Sequence, residues 1–431
     1  MKILSQEQLT ARVYDSAFTH AHDTYNAISA ASNGQIFYVL SSESVDEGGK
    51  IYVFDPKDDK VRLLGDLTEI CGEQHSAAVP QGKSHTRFYE KNSKLYFSTH
   101  VGYYELIDGM ESLPRRLPNG IKPYPGGHIL SYDLKSGIFE DLATVPGGEG
   151  VLSMTMDKDR GQIYGITWPT GRFIHFDIET RRLKHYDPVS GKGEAGEPGN
   201  DFRSLCRSLV VDPRDGTVYF STSEGNIFCF NPEKNHLKKM DGIDLKLDYF
   251  GTYDPNKPGS MAYNWRKIFW HPSEHVAYGV HGNSGYLFRF DPLRPAIELI
   301  ERISSELSKK SGMFDQFSYG YLGFQLGPDG NTIYYLTGGP VYLNGKRVKG
   351  EREIAKGGAK AVENLHLVTY DLEKRIYTDH GPVYYTNGER PLYVNSIAIG
   401  ADGVIYTLAR VTRDNKTLTD LISIPNPLSD E

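Results

Sequence analysis

Cysteine is scarce in this chain, which has three cysteines among 431 residues. Cys71, Cys206 and Cys229 show no paired spacing, so we expect isolated thiols and no disulfide framework. No apolar run is long enough to cross a membrane. The first residues, MKILSQEQLT, lack the apolar core of a secretion signal, and both a secreted or periplasmic and a cytoplasmic location stay open. A net charge of −7 argues against general nucleic-acid binding.

A short β-rich segment that ends in an aromatic residue recurs seven times along the chain. A second strand follows each copy and usually ends in Asp-Pro or a close relative, as in KIYVFDP. The mean period is about 61 residues, longer than the ~40–50 residues of compact propeller repeats, so long loops are expected. Seven such units predict an all-β fold, a single seven-bladed β-propeller spanning residues 1–431. The signature aromatics are Phe37, Tyr96, Tyr164, Tyr219, Tyr278, Tyr334 and Tyr406.

The two ends of the chain predict how the ring closes. The seventh repeat ends near Pro425 without room for an outer strand, whereas the strand-like segment 9–14 precedes the first blade. We expect this N-terminal strand to complete the last blade, which removes two exposed sheet edges. We also expect a helix over 296–310 and a mobile basic loop over 345–361.

The propeller fold predicts where a functional site lies. The start of strand A, the end of strand B and the start of strand C lie on one face of each blade, so their side chains should converge on the mouth of the central channel. This interpretation requires a register correct to within one residue. The strand A starts are Asn26, His85, Ser153, Ser208, Lys267, Gly323 and Asn395, with Arg207 and Arg266 beside them. The strand B ends are His100, Trp168, Ser223, His281 and Arg410, and the strand C starts are Lys50, His128, Arg172, Asn226 and Tyr286.

Histidine, arginine and lysine are therefore concentrated at the predicted mouth of an acidic chain. Such a mouth suits an anionic small molecule or a sugar acid. Each residue also has a structural interpretation, because strand histidines often bond carbonyls and arginines often pair with acids of the next blade. His85, His100 and His128 would allow a three-histidine metal site, but we favour no metal and no cofactor. A matching ligand pair, His-x-His, occurs at His20 and His22 alone.

The run GKSHTRFYEKNSKLYFSTHVGYYE has one histidine opening strand A and another ending strand B of the same blade. It resembles the seven-bladed propeller polysaccharide lyases that cleave next to uronic acids, such as the ulvan lyases and the rhamnose–glucuronate lyases. The segments YPGGHILSYD, GQIYGITWPTGRFIHFD and SLCRSLVVDPRDGTVYFST look like the following blades of such proteins. The repeat resemblance covers nearly the whole chain, and the functional resemblance covers mainly residues 83–210.

The resemblance implies β-elimination on a uronic-acid-containing oligo- or polysaccharide. His85 and His100 match the family's histidine pair, which suits proton transfer near neutral pH. The family carries a tyrosine at the start of strand A in blade 3, where this chain reads Gly150-Val151-Leu152-Ser153, so Tyr124, Tyr103 or Tyr104 is the implied substitute. Arg172 and Arg207 are the implied carboxylate clamps. The expected substrate-binding residues are His128, Arg172, Arg207, Trp168, Arg266 and His281.

Two other functional classes stay open at this point. A metal-dependent lactonase or streptogramin-lyase-like propeller needs acidic and amide ligands in its channel, and the predicted channel positions include Asn26 and Asn395 but no acid. A non-catalytic propeller would bind an anionic carbohydrate or a protein partner. We rank the lyase first and the binding propeller second.

Overall fold

The computed structural model describes most of the chain. Strands dominate it, and its hydrophobic cores lie between packed sheets. The described residues are 9–107, 110–250, 252–256, 261–282, 284–311, 323–340, 342–344, 346–347, 363–391, 393–413 and 415–429.

The described residues form seven four-stranded antiparallel units, which confirms the β-propeller fold. Every signature aromatic lies in the second strand of its unit. In five of the seven blades the turn before this strand contains glycine, as hairpin turns often do. Blade 1 comprises Ile28–Ala30, Ile36–Leu40, Lys50–Asp55 and Lys60–Asp66. Blade 2 comprises Tyr89–Lys91, Lys94–Ser98, His128–Asp133 and Phe139–Thr144. Blade 3 comprises Gly150–Asp157, Gln162–Trp168, Phe173–Asp177 and Arg182–Tyr186. Blades 4 and 5 comprise Val210–Val211, Val218–Ser221, Asn226–Asn231 and His236–Asp244; and Trp265–His271, Val276–His281, Tyr286–Asp291 and Ala296–Arg302. Blade 6 comprises Gly323–Leu326, Thr332–Pro340, Glu363–Asp371 and Ile376–Tyr385, and blade 7 comprises Ala398–Ile399, Ile405–Arg413, Lys416–Ile424 and Leu9–Val13.

The N-terminal strand Leu9–Val13 closes the ring, as the sequence predicts. It pairs antiparallel with the strand Lys416–Ile424, with Arg12 opposite Ser423. Its other edge pairs in parallel with the outer strand of blade 6, where Leu9 lies opposite Val383. Both edges of the N-terminal strand are therefore covered, and blades 6 and 7 merge into one sheet of eight strands.

The innermost strands follow one another around the channel. Side chains link neighbouring blades there: the Ser153 hydroxyl donates to the carbonyl of Cys206 at 3.0 Å, and the Ser29 hydroxyl donates to the carbonyl of Phe88 at 3.1 Å. In each blade the signature aromatic faces one strand A residue across the sheet, such as Thr155 opposite Tyr164. This register gives equivalent positions in all seven blades.

The predicted helix over 296–310 is wrong in its first half. Residues Ala296–Arg302 form the outer strand of blade 5, paired with Tyr286–Asp291, and only Glu306–Ser311 is helical. The apolar residues Ile297 and Leu299 recur two positions apart and pack towards the core, so strand pairing prevails over the local helix propensity of AIELIER. Among the described residues, the other helical segments are Leu67–Ile70 and the 3-10 turns Pro146–Gly148, Gly193–Ala195 and Asp248–Phe250.

Two insertions carry short hairpins. One joins strands B and C of blade 2 and pairs Glu105–Ile107 with Met110–Ser112. The other lies in blade 6 and pairs Tyr342–Leu343 with Lys346–Arg347. The rest of the predicted basic loop, 348–361, lies outside the described residues. Within the described part of the chain, no helix has the length and hydropathy needed to span a membrane.

Candidate functional site

The two histidines of the predicted pair are in contact at the mouth of blade 2. The rings of His85 and His100 lie 4.6 Å apart, centroid to centroid. Tyr25 continues the stack on one side, 4.4 Å from His85, and Trp168 continues it on the other, 5.3 Å from His100. The four rings come from blades 1, 2 and 3, so the blade interface places side chains far apart in sequence side by side.

Local backbone features position the two histidine rings. The Nδ1 atom of His100 hydrogen-bonds with the carbonyl of Val101 at 2.9 Å, and the backbone of His100 exchanges two hydrogen bonds with Lys83. A Cβ atom at Gly150 would lie 2.8 Å from the His100 ring, so glycine is required where the resembled family carries a tyrosine nearby. The Nε2 atoms of His85 and His100 are buried and have no hydrogen-bond partner among the residues that the structure describes.

The surroundings keep both histidines neutral. Burial, with further contributions from His100 and Lys83, lowers the pKa of His85 well below its ordinary value. Burial and the positive charge of Lys83 lower the pKa of His100 to about 3. An imidazole with an unpartnered, unprotonated nitrogen is a hydrogen-bond acceptor and a proton acceptor.

A buried ion pair supports the tyrosine end of the stack. Lys83 Nζ lies 2.7 Å from a carboxylate oxygen of Glu111 and 3.0 Å from the hydroxyl of Tyr25. The Tyr25 hydroxyl in turn donates to Glu111 at 3.1 Å. Burial and the nearby Glu111 carboxylate raise the pKa of Tyr25 well above its ordinary value, so its hydroxyl keeps its proton.

A second carboxylate, that of Glu194, bonds side chains at the end of the ring stack formed by Trp168. Glu194 accepts a hydrogen bond from Trp168 Nε1 at 2.9 Å and another from Arg207 Nη2 at 2.6 Å. The Arg207 charge helps to lower the pKa values of both His85 and His100. The structure therefore places Arg207 and Trp168 beside the histidine pair.

The structure does not bring His128 to the pair. Its ring nitrogens bond Asp141 and Glu73, each at 2.9 Å. Burial alone would lower the pKa of His128, but the side chains of Asp141, Cys71 and Glu73 raise it to about 11. A histidine held in this way is a buried cation between two acids, and it forms no three-histidine set with His85 and His100.

Arg172 also lies elsewhere. Its Nη1 atom is 3.4 Å from His185 Nδ1 on the outer strand of blade 3, and its Nε atom is 3.9 Å from Glu149. Arg172 and His128 open third strands, and neighbouring strands are ~4.8 Å apart, so these residues lie about two strand spacings from strand A. This distance explains why the starts of strands C do not converge on the channel mouth.

The remaining predicted residues occupy three further environments. Tyr124 is buried, and its hydroxyl donates to Gln81 Oε1 at 2.6 Å. His281 in blade 5 is buried, with both ring nitrogens hydrogen-bonded and its ring 4.0 Å from that of Phe250. Arg266 lies at a β-bulge of blade 5, with its side chain against Gly282.

Sequence reasoning missed four residues of the site, which are Tyr25, Lys83, Glu111 and Glu194. In blade 1, Ser29 pairs with the signature aromatic Phe37, and Tyr25 lies four residues before Ser29. In blade 2, Tyr89 pairs with Tyr96, and His85 lies four residues before Tyr89. That equivalence was a usable signal for Tyr25. Lys83 precedes the strand, and Glu111 comes from the blade 2 insertion, whose course the repeat does not determine.

A groove of about 500 Å³ lies between blades 5 and 6. Glu274, Arg289 and Glu298 give it charges of alternating sign, with Tyr278 and Tyr370 beside them. None of the sequence-predicted site residues lines this groove. Within the described part of the chain, no group of three histidine, cysteine or acidic side chains is placed to hold a metal ion.

Comparisons with known proteins agree with the fold and go no further. No family model matches the sequence, and no curated protein matches it. Many solved structures are similar in fold. A chain of the Mitotic Checkpoint Complex is 12% identical with a TM-score of 0.50, over 96% of this chain and 93% of that one. A candidate 6-phosphogluconolactonase of Bacteroides uniformis ATCC 8492 is 10% identical with a TM-score of 0.46, over 82% and 83% of the two chains. At 12% identity the likeness to the Mitotic Checkpoint Complex chain shows the fold alone.

Proposed function

We propose that this protein is a lyase that cleaves an oligo- or polysaccharide next to a uronic acid by β-elimination. The observation that carries the proposal is the stacked pair of neutral histidines, His85 and His100, whose Nε2 atoms have no partner in the described part of the chain. Structural histidines usually spend both nitrogens on hydrogen bonds, because an unsatisfied buried polar atom costs ~1–3 kcal/mol. Two such atoms side by side favour a ligand-facing role.

The neighbouring side chains supply the other requirements of elimination. One histidine takes the proton from the carbon that bears the uronate carboxylate. The electron pair of that C–H bond forms the new C=C bond, and the bond to the glycosidic oxygen breaks. The Tyr25 hydroxyl, which keeps its proton and lies beside His85, donates that proton to the departing oxygen.

Positive charge near the pair would make the abstracted proton more acidic. Arg207 and Lys83 stand on the two sides of the stack, and each already has a carboxylate partner, Glu194 or Glu111. A uronate carboxylate would share these cations with the resident acids. Because both Nε2 atoms are enclosed, substrate entry requires local movement, and Glu111 lies on the hairpin of blade 2.

The test is ultraviolet absorbance of the unsaturated uronate product, measured on a panel of uronic-acid glycans. His85→Asn and His100→Asn keep a polar side chain at each site and remove the proton acceptor, so each should lower kcat/KM at least a hundredfold. His236→Asn is the matched control, because His236 is exposed on the outer strand of blade 4. Its activity should equal that of the wild type.

The alternative, a non-catalytic propeller that binds an anionic carbohydrate, uses the same positive groups and predicts a different result. No glycan would yield product, whereas titration calorimetry would detect glycan binding that weakens in Arg207→Met. That pair of results would refute the elimination mechanism and leave a binding function.

The pH profile gives a further check. Since burial holds the pKa of His100 near 3 and that of His85 well below the ordinary 6.5, both histidines are already neutral at pH 6. The acid limb of kcat/KM should therefore lie below pH 6. If kcat/KM instead fell with a midpoint near pH 6.5, the ordinary pKa of histidine, the catalytic base would be a solvent-exposed histidine and not His85 or His100.

A further inference from the structure

One layer of the channel, below the histidine pair, holds two cations and five small side chains. In each blade, one residue of strand A pairs with the signature aromatic of strand B. The layer consists of the residues that lie two positions before these paired residues in the sequence. In blades 2 and 5 these residues are Arg87 and Lys267, because Tyr89 lies opposite Tyr96 and Phe269 lies opposite Tyr278. In the other blades they are Ala27, Ser153, Ser208, Gly323 and Ser396.

The two cations stand at equivalent positions of blades that are not neighbours, and Arg87 lies near enough for its charge to lower the pKa of Lys267. Blades 2 and 5 are three places apart in a ring of seven. Two serines of this layer lie against the next blade: the Ser153 hydroxyl donates to the carbonyl of Cys206, and the Ser208 hydroxyl bonds the backbone of Ile268. The five other residues of this layer are small and uncharged, so Arg87 and Lys267 carry its only charges.

Neither cation has an acidic partner among the described residues. The side chain of Lys267 is 92% buried, since 8% of its surface is exposed, and Arg87 is half-buried. Other buried cations of the chain are paired, such as Lys83 with Glu111 and Arg207 with Glu194. Burial, together with the charges of Arg87 and Arg266, lowers the pKa of Lys267 to about 7.

Two like charges held together without a counter-ion are unfavourable, and a shared anion would relieve both the repulsion and the desolvation. We propose that Arg87 and Lys267 form a binding site for a doubly charged oxyanion, sulfate or phosphate in free or ester form, inside the central channel. A dianion matches the two positive charges, and its oxygens accept hydrogen bonds from a guanidinium and an ammonium at once. The site does not depend on elimination chemistry at the mouth.

The test is isothermal titration of sodium sulfate at pH 6, with ionic strength held constant by sodium chloride. Sodium phosphate is titrated separately at about pH 7.5, because it is mainly a monoanion at pH 6. The wild type should bind one anion per chain. Lys267→Met and Arg87→Met should each weaken binding at least tenfold, while Lys267→Arg, which keeps the charge, should retain it. Lys238→Met is the matched control, because Lys238 is exposed on the outer strand of blade 4.

Thermal unfolding of the same variants guards against misfolding and against general stabilisation by sulfate. Sulfate raises the stability of most proteins by preferential exclusion. A saturable increase in Tm that Lys238→Met retains and Lys267→Met loses would support the site. Equal sulfate responses in the wild type, Lys267→Met and Arg87→Met, or no anion binding by the wild type, would overturn it. Competition between inorganic sulfate and a sugar sulfate distinguishes a free ion from an ester.

Discussion

His100 in blade 2 and His281 in blade 5 occupy similar places and differ in one respect. Both come at the end of strand B, both are almost completely buried, and burial lowers the pKa of each to about 3. The Nδ1 and Nε2 atoms of His281 bond Ser284 and the carbonyl of Ala262, whereas His100 uses Nδ1 alone. Burial and a lowered pKa are therefore common to the two histidines, and the unpartnered Nε2 atom of His100 is the feature in which they differ.

The largest expected effect is on activity and contrasts these two histidines directly. His100→Asn should reduce kcat/KM for elimination by about 10³-fold, within the range of a lost general acid or base, with Tm close to that of the wild type. His281→Asn should lower stability by about 2 kcal/mol, because two buried partners lose their bonds, and leave kcat of the folded protein unchanged. Steady-state kinetics and thermal unfolding measure both.

The comparison would break if the two variants behaved alike. Equal losses of stability with no change in kcat would mean that His100 is structural despite its unused nitrogen. Its contact with Trp168 would then account for its position.

A buried histidine of a third kind, His128, should show the opposite dependence on pH. Its folded pKa of about 11 exceeds the unfolded value of 6.5, so its stabilisation is complete below pH 6.5 and declines as the pH rises towards 11. His128→Gln should cost about 3 kcal/mol at pH 6, because Glu73 and Asp141 lose a buried partner. The cost should be smaller at pH 9. Urea unfolding at both pH values checks this prediction, and a cost that grows with pH would contradict it.

Lys267 is a buried cation without an acidic partner among the described residues, so its charge should lower the stability of the folded protein. The neutral histidines carry no such charge. The folded pKa of Lys267, about 7, is below the unfolded value of 10.5, so folding opposes the charge fully below pH 7 and progressively less towards pH 10.5. Lys267→Met should therefore stabilise the protein, by about 2 kcal/mol at pH 6 and less at pH 9, in a buffer without sulfate or phosphate. Chemical unfolding measures the difference, and destabilisation at pH 6 would show that the ammonium has a favourable partner.

The smallest expected effect is a change in the pKa of His100 relative to that of His281, which NMR spectroscopy can measure. The charge of Lys83 helps to lower the pKa of His100, whereas the lowered pKa of His281 comes from burial. Lys83→Met should raise the pKa of His100 by roughly 1 unit and leave that of His281 unchanged. NMR titration of the histidine Cε1–H signals measures both values in one sample. A shift of both signals would indicate a change in the fold.

Much of the fold could be predicted because each blade repeats the same local signals. The aromatic of strand B, the Gly-containing turn and the Asp-Pro ending recur, so the strand at Tyr164 was as predictable as that at Tyr406. The outer strand Ala296–Arg302 was mistaken for a helix because its stabilising partner, Tyr286–Asp291, is a tertiary contact. Local propensity does not report such contacts.

The candidate site was predictable where it followed the repeat. His85, His100, Trp168 and Arg207 lie at or beside the strand A starts and strand B ends, and the structure gathers them. Glu111 lies on the insertion within blade 2, and Glu194 lies on the connection between blades 3 and 4. Their pairing with cations of the mouth could therefore not be inferred from a periodic pattern. The mouth is consequently less positive than the sequence indicated.

Ring closure also has a consequence for the order in which the polypeptide is synthesised. The Tyr14 and Ser423 hydroxyls hydrogen-bond at 3.2 Å although 409 positions separate them. At typical rates of ~5–20 residues per second, the closing strand waits on the order of a minute for its partner to leave the ribosome. During that interval its unpaired edge is open to other chains, so the nascent protein is expected to be most prone to aggregation just before its last blade emerges.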